Sequence, residues 1–336
     1  MIWRRNLRSK NRIMKGKTMK TFVDKLQAAM QIKKSVLCVG LDPQLRFIPP
    51  HLIEEVIKEY GSSWEALGEL YFRYNRLIID AIEPHAGAVK PQAAFYEMCS
   101  HTWRALERTI EYAWSKNLVV IKDAKRKDGS DTADAYAQAH IGRVPFFGEL
   151  PVQAPIRTDA VTIDGYIGED CISRFVKEMK EYGTGAFVVD KTSFKPNSEI
   201  ENLVTLANRT VWEELALRVA KWGEGTEGEN GYRNLGVVMG ATYPQDAPIM
   251  RSILPKAIML VPGYGAQGGG SDGAVVPFND DGFGAVVNSS RGIIAAWQKG
   301  PFARDSKDFA EAAGCAAIDA CEDLNEALMR AGKYPF

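Results

Sequence analysis

The chain has 336 residues, 46% hydrophobic and 25% charged, an ordinary globular composition with length for a large core. Lysine and arginine number 42, as do aspartate and glutamate, so net charge gives no reason to expect a nucleic acid or other polyanion as partner. The five cysteines (Cys38, Cys99, Cys171, Cys315, Cys321) are odd in number and scattered, which argues against a disulfide framework or zinc site and fits a reducing cytoplasm. The four histidines (His51, His85, His101, His140) are isolated and give no metal-ligand spacing. No apolar run reaches the ~18 residues of a membrane span.

Residues 1–18 are strongly basic but lack the apolar stretch of a signal peptide, and they read as a disordered extension outside the fold. An upstream start codon ahead of Met19, or an organelle-targeting leader, are the other readings. From residue 19 the chain alternates short β-rich runs with longer helical patterns. Ser35–Asp42 is followed by helical pattern over roughly 51–82, Ala86–Pro91 by a helix near 99–116, and Leu118–Lys125 by one near 130–141. Ala160–Asp164 precedes a helix near 168–181, Gly185–Ser193 one near 199–221, and Leu235–Ala241 a short one near 244–253. Ala257–Gly265 opens into a Gly- and Asp-rich loop over 266–283 with at most one helical turn, and Gly284–Arg291 leads to a long C-terminal helix near 305–331. The acidic, glycine-rich stretch 223–231 reads as a flexible insertion.

Most of these eight runs are almost wholly apolar, as parallel strands buried on both faces are. Eight β/α units predict an α/β fold, a closed (β/α)8 TIM barrel over 19–336 as a single domain, with a doubly wound sheet as the alternative.

Barrel chemistry sits at the C-terminal ends of the strands. The first run ends in Asp42, the second in Lys90, and the third in Asp123 and Lys125. One such charge often marks only where a strand meets water, but several neighbouring strand ends would place these four in one alternating network. Asp123 and Lys125 are two residues apart, so an extended strand turns them to the same side. Asp128 lies just beyond, where an acid also serves as a helix N-cap. At the seventh and eighth strand ends, Gly263–Gly269 and Ser289–Gly292 supply backbone N–H groups, Gln267 and the Arg291 fork, a set suited to phosphate. Gly263–Gly268 also matches G-x-G-x-x-G, but it neither opens a βαβ pair nor precedes a clear helix, so a dinucleotide site is rejected.

Taken together these residues resemble the orotidine 5′-monophosphate decarboxylase family, most of all its longer bacterial branch. The resemblance rests on Asp123-Ala124-Lys125-Arg126-Lys127-Asp128 with Thr132-Ala133 and Ala135-Tyr136-Ala137. It is supported by Gly40-Leu41-Asp42-Pro43, Val89-Lys90-Pro91-Gln92, Thr192-Ser193, Pro262–Gly269 and Asn288–Gly292, in the family's order over roughly 35–292. The family pattern departs in two places: Arg-Gly-Asp-Ile is usual where Arg126-Lys127-Asp128-Gly129 stands, and Lys191 and Phe194 occupy positions where Arg and Asn are usual.

The resemblance implies decarboxylation of orotidine 5′-monophosphate (OMP) to UMP without metal or organic cofactor, in the cytoplasm. It implies that Asp42 and Lys90 contact the ribose, Asp123 faces the substrate carboxylate, and Lys125 protonates the ring carbon. Ser193 would contact the pyrimidine, and Gln267 and Arg291 the phosphate, with the 263–273 loop as a lid. Asp128 and Thr132 would complete the neighbouring subunit's site in a homodimer. Two other readings of the residues are a phosphosugar aldolase with a Schiff-base lysine and a non-catalytic nucleotide-binding barrel.

Overall fold

The structure, a computed structural model, describes residues 20–194, 199–265 and 267–336. The basic stretch 1–18 lies outside the described residues. In chain order the elements are α1 (Phe22–Lys33), β1 (Leu37–Leu41), α2 (Pro50–Tyr60), α3 (Trp64–Ile82), β2 (Ala88–Pro91), α4 (Ser100–Ser115), β3 (Val119–Arg126) and α5 (Ser130–His140). There follow β4 (Val144–Phe146), β5 (Glu149–Val152), β6 (Ala160–Asp164), α6 (Glu169–Tyr182), β7 (Gly185–Lys191) and α7 (Val211–Trp222). The last are β8 (Arg233–Met239), α8 (Ala247–Ile253), β9 (Ala257–Pro262), α9 (Ser271–Ala274), β10 (Ala285–Ser289), α10 (Arg291–Ile294) and α11 (Phe309–Arg330).

Eight of the strands close into a parallel barrel in the order β1-β10-β9-β8-β7-β6-β3-β2, which is the TIM barrel that the alternation predicts. The strand interiors are buried on both faces, which explains their unbroken apolar runs. Outward side chains pack under the helices in one continuous core. Inward ones, including Cys38, Ile121, Phe187, Leu260 and Val286, fill the barrel together with Phe22, Val23, Leu26 and Met30 of α1. The α1 helix therefore plugs the N-terminal end of the barrel, with the Phe22 ring edge-on to Phe187 at 5.7 Å. The opposite end is left to the strand-end polar groups.

The elements differ from the sequence expectation at several places. The helical pattern over 51–82 is two helices, broken at Gly61 and restarted by Ser63, whose hydroxyl accepts from the Ala66 N–H. The helix expected from 199 begins only at Val211, where Thr210 and Glu213 form a capping box. The β3–β6 crossover carries an unexpected hairpin, β4–β5. The segment 223–231, expected to be flexible, is tied to α1: Asn230 donates to the Val23 carbonyl and the Asp24 carboxylate, both at 3.2 Å.

Candidate active site

The register of the barrel brings the charged strand ends to one level. Gly40 of β1 lies opposite Lys90 of β2, and Gln92 just beyond β2 bridges to Asp123 of β3. Asp123 is the centre of the cluster. Its Oδ2 accepts from Lys90 Nζ at 2.8 Å and Gln92 Nε2 at 3.1 Å, and its Oδ1 from Lys125 Nζ at 2.5 Å and Thr162 Oγ1 at 2.9 Å. Lys90 and Asp123 are buried, whereas the Lys125 side chain is 48% exposed and reaches in from the mouth.

Burial alone would push the Asp123 carboxyl up, but the Lys90 and Lys125 ammoniums and their hydrogen bonds outweigh it and hold the carboxyl well below the usual range. Lys90 shows the converse: burial opposes its charge, and Asp123 with Asp42 overrides this and holds the ammonium above the ordinary lysine value. Asp42 differs. Burial raises it and the attraction of Lys90 offsets only part, while its Oδ1 has no hydrogen-bond partner. The expected alternating set of Asp42, Lys90, Asp123 and Lys125 thus meets at one mouth.

The route to that geometry is not the regular strand expected. The β3–β6 register shifts between Lys122 and Arg126, and Lys125 adopts φ +47°, an unusual backbone for a residue with a side chain. The bulge is pinned by Thr162 Oγ1, which accepts from the Ala124 and Lys125 N–H groups at 2.9 Å each. Lys122 points the other way into the helical layer and donates to the Ile156 carbonyl.

Beside the charge cluster is a cavity of about 230 Å³. Asp42, Gln44 and Arg46 line it from the β1 end, Gly263, Tyr264 and Gln267 from the loop after β9, and Ser290 and Arg291 after β10. Two glycines are required here. A Cβ on Gly40 would lie 1.8 Å from Ser290 Oγ, so only glycine lets the β10 end close on β1. Gly263 has φ +101°, which turns the loop back over the mouth. Ser193, buried at the β7 end, donates to Gln267 Oε1 at 2.6 Å, which leaves the amide nitrogen of Gln267 as a donor toward a ligand.

Asp128 and Thr132 are not brought into this cluster. Both are exposed on the turn into α5, where Asp128 Oδ1 accepts from the Gly129 N–H at 2.8 Å and Gly129, not Asp128, is the N-cap. Of the departures from the family pattern, Lys127 forms an exposed ion pair with Asp164 at 3.4 Å. Lys191 turns away from the mouth and is buried against Asp246 at 3.3 Å and the Tyr243 ring at 4.7 Å. Phe194 is exposed.

Sequence reading assigned no role to Thr162, Gln92, Gln44 or Arg46. The available signal for Thr162 was a lone hydroxyl in an apolar strand, and for Gln92 its place directly after Lys90-Pro91. Among the described residues no cluster of three or more His, Cys, Asp or Glu side chains is placed to hold a metal ion, and no helix is long and apolar enough to cross a membrane.

Comparisons with known proteins agree with one another over most of the chain. A family model described as orotidine 5′-phosphate decarboxylase / HUMPS family matches residues 35–304. The orotidine 5′-phosphate decarboxylase of Caldicellulosiruptor saccharolyticus is 36% identical over 314 residues, covering 92% of this chain and 100% of that protein. That of Rhodopirellula baltica is 36% identical over 309 residues, 91% of this chain and 99% of the relative. Among solved structures, Leishmania donovani OMP decarboxylase superposes with a TM-score of 0.68 at 28% identity, covering 92% of this chain and 99% of that one. Leishmania donovani UMP synthase gives 0.69 at 30% identity, over 92% of this chain and 57% of its own. With a family match over most of its length and relatives matched over almost their whole length at this identity, the chain belongs to the orotidine 5′-phosphate decarboxylase family.

Proposed function

We propose that this protein converts OMP to UMP and CO2 in pyrimidine biosynthesis, with Lys125 as the proton donor. The observation that carries the reading is Asp123 held ionised between two ammonium groups, beside a cavity rimmed by Gln267 and Arg291. In this reading the phosphate sits against Gln267, Arg291 and the loop glycines. Asp42 and Lys90 meet the ribose hydroxyls, and Ser193 meets the pyrimidine. The substrate carboxylate then faces Asp123. Breaking the C–C bond releases CO2 and leaves its electron pair on the ring carbon, which takes a proton from Lys125 Nζ.

Magnitudes decide which effect dominates. Loss of CO2 from orotate leaves a carbanion without an electron sink, so the enzyme must lower the barrier by something on the order of 20 kcal/mol. Repulsion between two carboxylates ~4 Å apart at an effective dielectric of ~20 amounts to about 4 kcal/mol before relaxation. The larger part falls to an ammonium fixed where negative charge develops. The Asp123–Lys125 pair keeps that ammonium in position before substrate arrives. Phosphate binding remote from the reacting carbon supplies energy for closing the 263–273 loop as a lid.

The same Asp123 contact argues against the aldolase reading, because a Schiff-base lysine must be neutral. The homodimer belongs to the proposal, with Asp128 and Thr132 completing the partner's site. So does a cytoplasmic location, which the five unpaired cysteines favour.

The test is turnover of OMP by the purified protein in chelator-containing buffer, followed by the ultraviolet change from orotate to uracil. Turnover is expected to disappear in Lys125→Ala with the fold retained by circular dichroism. Normal activity in that variant would remove Lys125 from the mechanism, and no turnover by the native protein would remove the reaction. Arg291→Ala is expected to weaken OMP far more than the nucleoside orotidine; equal losses would take Arg291 out of the phosphate site.

A further inference from the structure

We infer that Asp323 of α11 is a positioning residue for phosphate recognition, holding both ends of the glycine loop that rims the cavity. The inference rests on the phosphate reading of that cavity. One carboxylate spans the loop: Oδ2 accepts from the Tyr264 hydroxyl and Oδ1 from the Ser271 hydroxyl, each at 2.7 Å. Tyr264 itself lines the cavity, and Ser271 opens α9 at the far end of the loop.

Between these anchors the loop closes on itself. The Gly269 N–H donates to the Gly263 carbonyl at 3.0 Å, Gly265 to Gly269 at 2.9 Å, and Gly268 to Gly265 at 2.8 Å. Gly263, Gly265 and Gly268 all have positive φ and carry no side chain to fix these conformations. Among the described residues, the polar side chains that join the loop to the barrel are Ser193 on one side, through Gln267, and Asp323 on the other, beside the Tyr264 ring packed on the core. A second link from α11, Arg330 to Asp272 at 2.7 Å, has side chains 52% and 78% exposed. Exposed pairs of this kind contribute little. The half-buried Asp323 contacts are therefore the stronger of the two links from α11.

A loop whose two ends are already held costs less to close over the ligand. Removing the tether takes away ordering that phosphate must then supply, which raises KM without altering the reacting atoms. Asp323→Ala is expected to raise KM for OMP about tenfold, equivalent to about 1.4 kcal/mol, with kcat held within about twofold. Turnover of orotidine, which has no phosphate to grip, is expected to stay within about twofold. Asp323→Asn can accept only one of the two hydrogen bonds, and Ser271→Ala removes one donor; both are expected to give intermediate KM values and to protect against a variant that fails to fold. Tyr264→Phe is expected to add nothing in the Asp323→Ala background.

Arg291→Ala measured in parallel separates the two ideas. If it impairs OMP and orotidine equally, the phosphate reading fails. If it is selective for OMP while the Asp323 and Ser271 variants leave KM unchanged, or impair both substrates alike, the tether fails alone.

Discussion

Thr162 joins the charge cluster to the backbone that presents it. Its hydroxyl donates to Asp123 and accepts from the two N–H groups of the β3 bulge. Thr162→Val keeps the shape and the β-branch but leaves the two bulge N–H groups without an acceptor and takes one donor from Asp123, at about 1–3 kcal/mol. We expect kcat/KM for OMP to fall about ten- to a hundredfold, with a melting temperature lowered by a few degrees. An unchanged kcat/KM would sink the assignment. Asp190 gives a second prediction, about stability. It is 3% exposed, neither carboxylate oxygen has a hydrogen-bond partner among the described residues, it lies close to Lys191 and Glu201, and it shares the lining of an outer cavity with Asp164 and Glu214. Burial, then Glu201, raises its pKa far above the ordinary value, more than Lys191 offsets. The folded chain therefore holds this proton more tightly than the unfolded chain. The favourable contribution is complete below the unfolded carboxylate pKa and is lost as pH rises toward the folded one. Asp190→Asn should be the more stable protein at pH 8, by about 1–3 kcal/mol, with the gap shrinking toward pH 4; a gap that is constant with pH would refute this. Lys90, Asp123 and Lys125 were legible because each interrupts or ends an apolar run. Thr162 was not, because threonine is also an ordinary strand former. The bulge at Lys125 depends on a hydroxyl far away in sequence and no local pattern announces it.

At the scale of elements, position along the barrel axis separates stability from chemistry. Phe22 on α1 fills the N-terminal end against Phe187, and both rings are almost fully buried. Phe22→Ala should cost roughly 3–5 kcal/mol, read as a lower denaturant midpoint, while kcat of the folded fraction is unchanged. A matching loss of kcat would mean that the plug reaches the mouth. The strands were legible as elements because burial on both faces leaves few polar residues in them. Element boundaries were less so. The Thr210 capping box marks the true start of α7, yet the apolar positions upstream, Ile200, Leu203, Val204 and Leu206, imitate a helical face and lie exposed instead. The β4–β5 hairpin is short, contains prolines and turns at Phe147-Gly148, so alternation over it was too brief to register.

At the scale of the whole molecule, one sector of the barrel looks unfinished. Strands β3, β6 and β7 are neighbours. The segments leaving β6 and β7 carry Tyr166 at 84% exposure and Leu206 at 106%, and the β4–β5 hairpin that leads into β6 carries Phe147 at 93% and Leu150 at 73%. Exposed apolar groups in such number suit a surface covered by another protein. The same sector holds Asp128 and Thr132, exposed and outside their own subunit's cluster. Both features fit the proposed two-fold dimer, in which each subunit would cover the other's sector and lend Asp128 and Thr132 to its site. This arrangement makes a prediction that a monomeric enzyme cannot meet. Lys125→Ala and Asp128→Ala subunits each spoil a different site. In a mixed dimer one site receives an intact Lys125 and an intact Asp128, and the other receives neither. If equal amounts of the two variants are unfolded and refolded together, half the dimers should be mixed and about a quarter of the native activity should return. Refolding each variant alone should return none for Lys125→Ala and little for Asp128→Ala. Activity in the mixture no greater than the mean of the two separate samples would place Asp128 in its own subunit's chemistry or outside it altogether.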